Sequence, residues 1–134
     1  MIKLYNNDCF AVMKQLKEEE IKVDAIICDP PYVINYADWD KEFNMPLVID
    51  LCYDLLKDNG NLILFQGWSN VAKTNELLDE KFAIQNWIVW DRIKGRGAKK
   101  NFVSTREDIL WHCNGNNPTY QKMYSNIAKK TAGI

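Results

Sequence analysis

The chain has 134 residues, 47% of them hydrophobic and 12% aromatic, enough for one domain that buries most of its unfolded surface and too little for a second. Its net charge of −1 conceals a polarity: residues 1–60 hold six Lys/Arg against twelve Asp/Glu, residues 61–91 two against four, and residues 92–134 nine against two. The four cysteines, Cys9, Cys28, Cys52 and Cys113, show no C-x-x-C spacing, and His112 is the sole histidine, which argues against a zinc site.

The basic final third is suited to meet a polyanion. Cys28 and Cys52 fall in apolar patterns and read as small buried hydrophobes, consistent with a reducing compartment. No apolar run reaches the roughly 18 residues of a membrane span, and the opening residues lack the layout of a signal peptide. A cytoplasmic protein is expected.

In chain order, Ile2-Lys3-Leu4-Tyr5 alternates and predicts a short strand, stopped by Asn6-Asn7-Asp8, whose side chains favour turns and helix caps. Phe10, Val12, Met13 and Leu16 form a rough helical stripe from Cys9 to about Glu20. Residues 22–28 are short, β-branched and nearly continuous in apolar character, the pattern of a strand covered on both faces. Pro30 and Pro31 must end it, because neither can donate to a sheet ladder.

Residues 33–44 follow neither period and read as a loop over whatever lies after that strand. Pro46 suits the first turn of a helix, and Leu47, Ile49, Leu51, Leu55 and Leu56 continue it until Asp58-Asn59-Gly60 is expected to close it. Residues 61–65 predict another buried strand. Ser69 is placed to cap a helix running to about Glu80, residues 83–90 predict a strand, and residues 108–112 predict the last one. Strands alternating with helices at these lengths indicate an α/β fold, a Rossmann-like, largely parallel sheet flanked by helices. Residues 114–134 show little periodicity and are expected to be loop, or the start of a further region.

Ligands of open α/β sheets bind beyond the carboxyl ends of the strands. Asp29-Pro30-Pro31-Tyr32 lies at such an end. The loops after Tyr5, Phe65 and Trp90 are expected at the same edge, which makes Asp8, Gln66, Gly67, Trp68 and Asp91 candidates to line one crevice.

Asp-Pro-Pro-Tyr after a buried strand resembles the signature of S-adenosylmethionine-dependent DNA amino methyltransferases. Further segments look like the permuted (beta) class of these enzymes: Leu4-Tyr5-Asn6-Asn7-Asp8-Cys9, the Asp38-Trp39-Asp40 loop, Leu55-Leu56-Lys57-Asp58-Asn59-Gly60, Trp90-Asp91-Arg92 and Arg106-Glu107-Asp108-Ile109-Leu110-Trp111. The likeness spans roughly residues 1–113, which would be the catalytic half of a methyltransferase domain. It implies S-adenosylmethionine as cofactor, duplex DNA with a flipped base as partner, and a place in restriction-modification.

The family's glycine-rich cofactor loop, Phe-x-Gly-x-Gly, has no counterpart in the sequence, and the only closely spaced glycines, Gly95 and Gly97, stand in a basic context. An amino-terminal portion is therefore expected, with residues 114–134 as loop or the start of the target-recognition region. The rest would be supplied as a fragment's missing half or as a second chain. A homodimer through the open edge of the sheet is a further expectation.

By this resemblance the catalytic residues are Asp29, Pro30, Pro31 and Tyr32. An exocyclic amine is a poor nucleophile because its lone pair is delocalised into the ring. The Asp29 carboxylate and the Pro30 carbonyl can each accept one of its N–H groups and stabilise the charge that grows there, and the prolines fix that geometry in advance. Tyr32 offers a ring face for a flipped base, a stack worth roughly 1–3 kcal/mol in single-strand binders. Cofactor contacts fall to Asp8 and Cys9 together with Asp29 and Pro30. Arg92, Lys94, Arg96, Lys99 and Lys100 are the candidates for DNA phosphates, with Trp39 in a lid near the flipped base.

The resulting expectation is transfer to adenine N6. Alternatives are cytosine N4, and a DNA-binding or assembly subunit without catalysis, which the missing glycine-rich loop favours. Related enzymes that modify RNA or protein glutamine usually carry Asn at the first position of the tetrapeptide, where this chain has Asp29.

Overall fold

In a computed structural model, residues 1–96 and 102–121 are described. Helix α1 (Cys9–Glu18) leads to strand β1 (Val23–Cys28), and a 3-10 turn at Asp38–Asp40 precedes α2 (Met45–Leu55). Then come β2 (Leu56–Gln66), α3 (Val71–Asp79), β3 (Ala83–Arg96) and β4 (Ser104–Cys113). The sheet order is β1-β2-β4-β3. β1 pairs parallel with β2, and β4 runs antiparallel between β2 and β3. β1, β2 and β3 thus point one way and β4 the other, because β4 pairs antiparallel with both β2 and β3.

Packing follows the alternation along β2. Leu62 and Leu64 are fully buried, and Leu62 clusters with Leu110 of β4, Val48, Ile49 and Cys52 of α2, and Val71 and Leu78 of α3. Phe10 and Met13 of α1 pack against the same cluster. Residues of the other parity, Ile27, Ile63 and Trp111, are register partners on the opposite face, where Ile27 is 75% exposed. Part of that face is covered by the end of the described chain. Trp111 packs against Tyr120 with ring centroids 5.4 Å apart, and its Nε1 donates to Asn61 at 2.8 Å. The amide of Asn61 in turn donates to the Thr119 carbonyl at 3.1 Å.

Several boundaries differ from expectation. Residues 1–7 form no strand and are exposed, since no strand among the described residues lies alongside to satisfy their backbone. α2 stops at Leu55 rather than at Gly60, and β2 begins at Leu56. The register jumps from Val23↔Leu56 to Ala25↔Asn61, so the Asp58-Asn59-Gly60 stretch makes an excursion in the strand, with Asn59 at φ +62°, instead of closing a helix. Asn70, not Ser69, stands at the start of α3, and its side chain makes no capping bond there. β3 runs on to Arg96, where Arg96 pairs with Ser104, so the first part of the basic segment is strand and not loop. Residues 114–121 contain neither helix nor strand. No helix among the described residues is long and apolar enough to cross a membrane.

Candidate active site

β1 delivers Asp29 beyond its carboxyl end, beside the end of β2, with Cys28 opposite Leu64. Because β4 is antiparallel, its opening residues reach that same edge: Asp108 pairs with Gln66, and Glu107 lies one step further out. A cleft of about 490 Å³ forms there, lined by Asp29, Pro30, Pro31, Tyr32, Ile34, Tyr36, Asp40 and Glu107. That is within the rough 300–1,000 Å³ range of small-molecule sites. Pro30 is buried and Asp29 exposed, so the rigid backbone is anchored while the carboxylate stays open.

Tyr32 is held on several sides. Asn70 Nδ2 donates to its carbonyl at 2.7 Å, and Tyr32 lines the cleft together with Asp29 and Glu107. Burial first, then the two carboxylates, push its phenol well above the ordinary value, so Tyr32 keeps its proton and acts as a donor. Behind the ring a second cavity of about 320 Å³ includes Phe43, Gln66, Asn70 and Thr74. Gln66 is buried but satisfied: its Nε2 donates to Thr74 Oγ1 at 3.2 Å, and its Oε1 accepts from Gly67 N at 2.9 Å. Burial also raises the Cys28 thiol to about 11, which keeps it protonated and unreactive.

The loop over the cleft is organised by Asp40, which is 1% exposed. Its carboxylate accepts from the backbone N–H of Val33 at 2.7 Å, Ile34 at 3.0 Å and Tyr36 at 3.1 Å. Burial pushes its pKa up, but these backbone bonds outweigh burial and leave it below the ordinary value.

The other residues singled out from the sequence are dispersed. Asp8 caps α1, accepting from Ala11 N at 3.0 Å. Asp8 and Cys9 are exposed and are not among the cleft-lining residues. Gln66 and Gly67 support Tyr32 from behind. Trp68 lies in a separate groove with Phe102, Val103 and Arg106, and Asp91 accepts from Ile93 N at 2.8 Å.

Among the cations, Lys94 is exposed on β3. Arg92 is engaged: Nη1 pairs with Glu107 at 2.8 Å and Nη2 donates to the Ser104 carbonyl at 3.0 Å. Only the backbone of Trp39 and Arg96 is described, and Lys99 and Lys100 lie outside the described residues. Ile34, Tyr36, Asp40, Asn70 and Glu107 are cleft or support residues to which the sequence reading gave no role of their own, although Asp40 and Glu107 fall in segments that carry the resemblance. The run Arg106-Glu107-Asp108, charged groups entering an apolar strand, was the available signal for Glu107.

Residues 23–132 match the family described as DNA methylase, of the N6/N4 type. The chain is 34% identical over 128 residues to the type II methyltransferase M1.MboII of Moraxella bovis, covering 88% of this chain and 48% of that protein. It is 29% identical over 135 residues to the type II methyltransferase M.BamHI of Bacillus amyloliquefaciens, covering 87% and 29%. The crystal structure of M1.HpyAVI in complex with S-adenosylmethionine superposes with a TM-score of 0.75 and 26% identity, covering 94% of this chain and 60% of that one. The chain thus spans about half the length of M1.MboII and less of M.BamHI. The family draws its methyl group from S-adenosylmethionine, and its matched region takes in both the Asp29–Tyr32 turn and β4. By fold and by sequence, this chain belongs to the N6/N4 DNA methylase family.

Proposed function

We propose that the cleft receives the exocyclic amine of a base flipped from duplex DNA, adenine N6, and prepares it for methylation. The carrying observation is the cleft itself: an exposed carboxylate, a proline-fixed backbone and a protonated tyrosine converge beyond the carboxyl end of β1. Asp29 and the Pro30 carbonyl accept the two N–H groups and draw the nitrogen lone pair out of conjugation. Tyr32 presents its ring to the base. Neither acceptor has to be assembled on binding, because the prolines lock the backbone that carries them.

The residues present fit S-adenosylmethionine in one respect. Three carboxylates, Asp29, Asp40 and Glu107, line the cleft and favour a neighbouring cation electrostatically. When bound, the cofactor supplies an electrophilic methyl group on a positively charged sulfur. Asp8 and Cys9 are proposed contacts for the rest of it. Lys94, Arg96, Lys99 and Lys100 are proposed to meet phosphates, a sequence-independent hold on the duplex.

The test is transfer of a labelled methyl group to unmethylated duplex DNA, by the chain alone and with a complementing polypeptide that restores the length of its relatives, followed by nucleoside analysis. 6-Methyladenine is expected, with Asp29→Ala costing roughly a hundredfold or more, as for loss of one preorganised electrostatic contact. 4-Methylcytosine would overturn the adenine reading. DNA binding without transfer in either form would favour the assembly-subunit reading.

A further inference from the structure

Trp68 takes no part in the cleft and instead lines a groove of its own, about 470 Å³, with Phe102, Val103, Ser104, Thr105 and Arg106. The groove lies at the same edge of the sheet as the cleft, since β2 ends at Gln66 and β4 begins at Ser104. On β4, Arg106 of the groove precedes Glu107 of the cleft. Beyond β2, Trp68 follows Gly67, which adjoins the Tyr32 ring. Groove and cleft are thus one residue apart on two segments of chain. Trp68 is 56% exposed, Val103 53% and Phe102 wholly exposed, and large apolar side chains left open around one groove mark a surface that another molecule covers.

The balance of charge selects the occupant. Arg106 is the one cation among the groove-lining residues, and its Nε lies 3.3 Å from Oδ2 of the buried Asp108, whose charge offsets it. A phosphate gains little there, whereas an aromatic wall offers a stacking face to any base. We propose that the groove is a second nucleotide subsite, in which the base beside the flipped one stacks on Trp68 and Phe102. Flipping strips that neighbour of a stacking partner, and the groove returns one. This inference deepens the flipped-base reading above and rests on it.

The affinity of the full chain for a single-stranded oligothymidine, whose bases are unpaired, tests this without methyl transfer. Trp68→Ala should weaken binding roughly tenfold, and Phe102→Ala by a similar factor, the scale of one lost base–aromatic stack. Trp68→Phe keeps a ring and should retain most of the affinity. The slope of log affinity against log salt should stay that of the parent, because no phosphate contact is lost. An abasic strand of the same length should bind the parent and Trp68→Ala alike. Both side chains are exposed, so the melting temperature of either variant should stay at the parent value.

Parent-level affinity in Trp68→Ala, an equal loss on the abasic strand, or a parent that binds no oligothymidine would overturn the proposal. So would a Trp68→Ala variant that changes oligomeric state while oligothymidine binding stays intact, since the groove would then be covered by a second copy of the chain. Stacking of this kind without methyl transfer, even beside the complementing polypeptide, would count against the amine-binding reading alone, so the two fail separately.

Discussion

A Cβ placed on Gly67 would come within 3.1 Å of Cδ2 of Tyr32. β2 ends at Gln66, and the residue that follows has no side chain, so the tyrosine ring packs directly on backbone. This contact sets the depth of the ring in the cleft. Gly67→Ala should move the ring by a few tenths of an ångström. The expected loss in methyl transfer is roughly threefold to tenfold, given that a misplacement of about 1 Å costs about a hundredfold. Thermal stability should change little, and paired single-turnover rates and melting curves check both halves. An unchanged rate would mean that the ring position is set elsewhere.

Asp40 organises the loop above the cleft through three backbone bonds. Asn at this position keeps one acceptor oxygen and turns the other into a donor that faces N–H groups. Asp40→Asn should therefore speed hydrogen exchange at the amides of Val33, Ile34 and Tyr36, while exchange in β2 and β4 stays slow. The carboxyl is held below its ordinary value of 3.8. Its contribution is complete above that value and is lost as pH falls from there toward the lower folded value. Exchange at these three amides, followed from pH 6 downward, should show protection failing only at the acid end.

His112 is fully buried, with Nε2 3.2 Å from Asp79 Oδ1 and Nδ1 without a partner among the described residues. Burial pulls its pKa below 6.5, and the bond to Asp79 opposes that shift without cancelling it. The folded state therefore holds a neutral ring, while the unfolded chain protonates it more readily. Stability from this group is complete above about pH 6.5 and declines as pH falls below it toward the folded value. Denaturant melts at pH 7.5 and 5.5 should show the parent losing stability and a His112→Gln variant losing less. Equal losses would place the titration elsewhere.

Leu64 and Leu110 are register partners at the centre of the sheet, both 0% exposed. Each Leu→Ala substitution should cost about 2–5 kcal/mol in a denaturant melt, the scale of cavities in packed cores. Because the two side chains adjoin, the double variant should cost less or more than the sum by about 0.5 kcal/mol or above.

Local chemistry made much of this chain legible. The apolar run of β1, the prolines that end it and the helix begun at Pro46 depend on short-range rules, namely locked φ angles, missing donors and side-chain period. The Asp29–Tyr32 turn stood out as a candidate site for the same reason, since its four residues are consecutive. Strand ends were less legible. Whether a backbone segment is a strand depends on a neighbour with open hydrogen-bonding groups, and residues 1–7 lack one whereas Arg92 to Arg96 have β4. A capping role for Ser69 likewise gave way to long-range geometry: Asn70 opens the helix, and its amide is drawn to the Tyr32 carbonyl instead of capping.

By itself, then, the sequence determined the alternation of strands and helices and the proline-ended turn, Asp29 to Tyr32, after β1. Only the tertiary structure decided what surrounds that turn. The antiparallel insertion of β4 brings Glu107, 75 positions along the chain from Tyr32, to the cleft that Tyr32 lines, and pairs it with Arg92 of β3. Strand direction sets which end of β4 meets the cleft, and it is fixed by pairing with β2 and β3, an interaction between distant segments that no local pattern encodes.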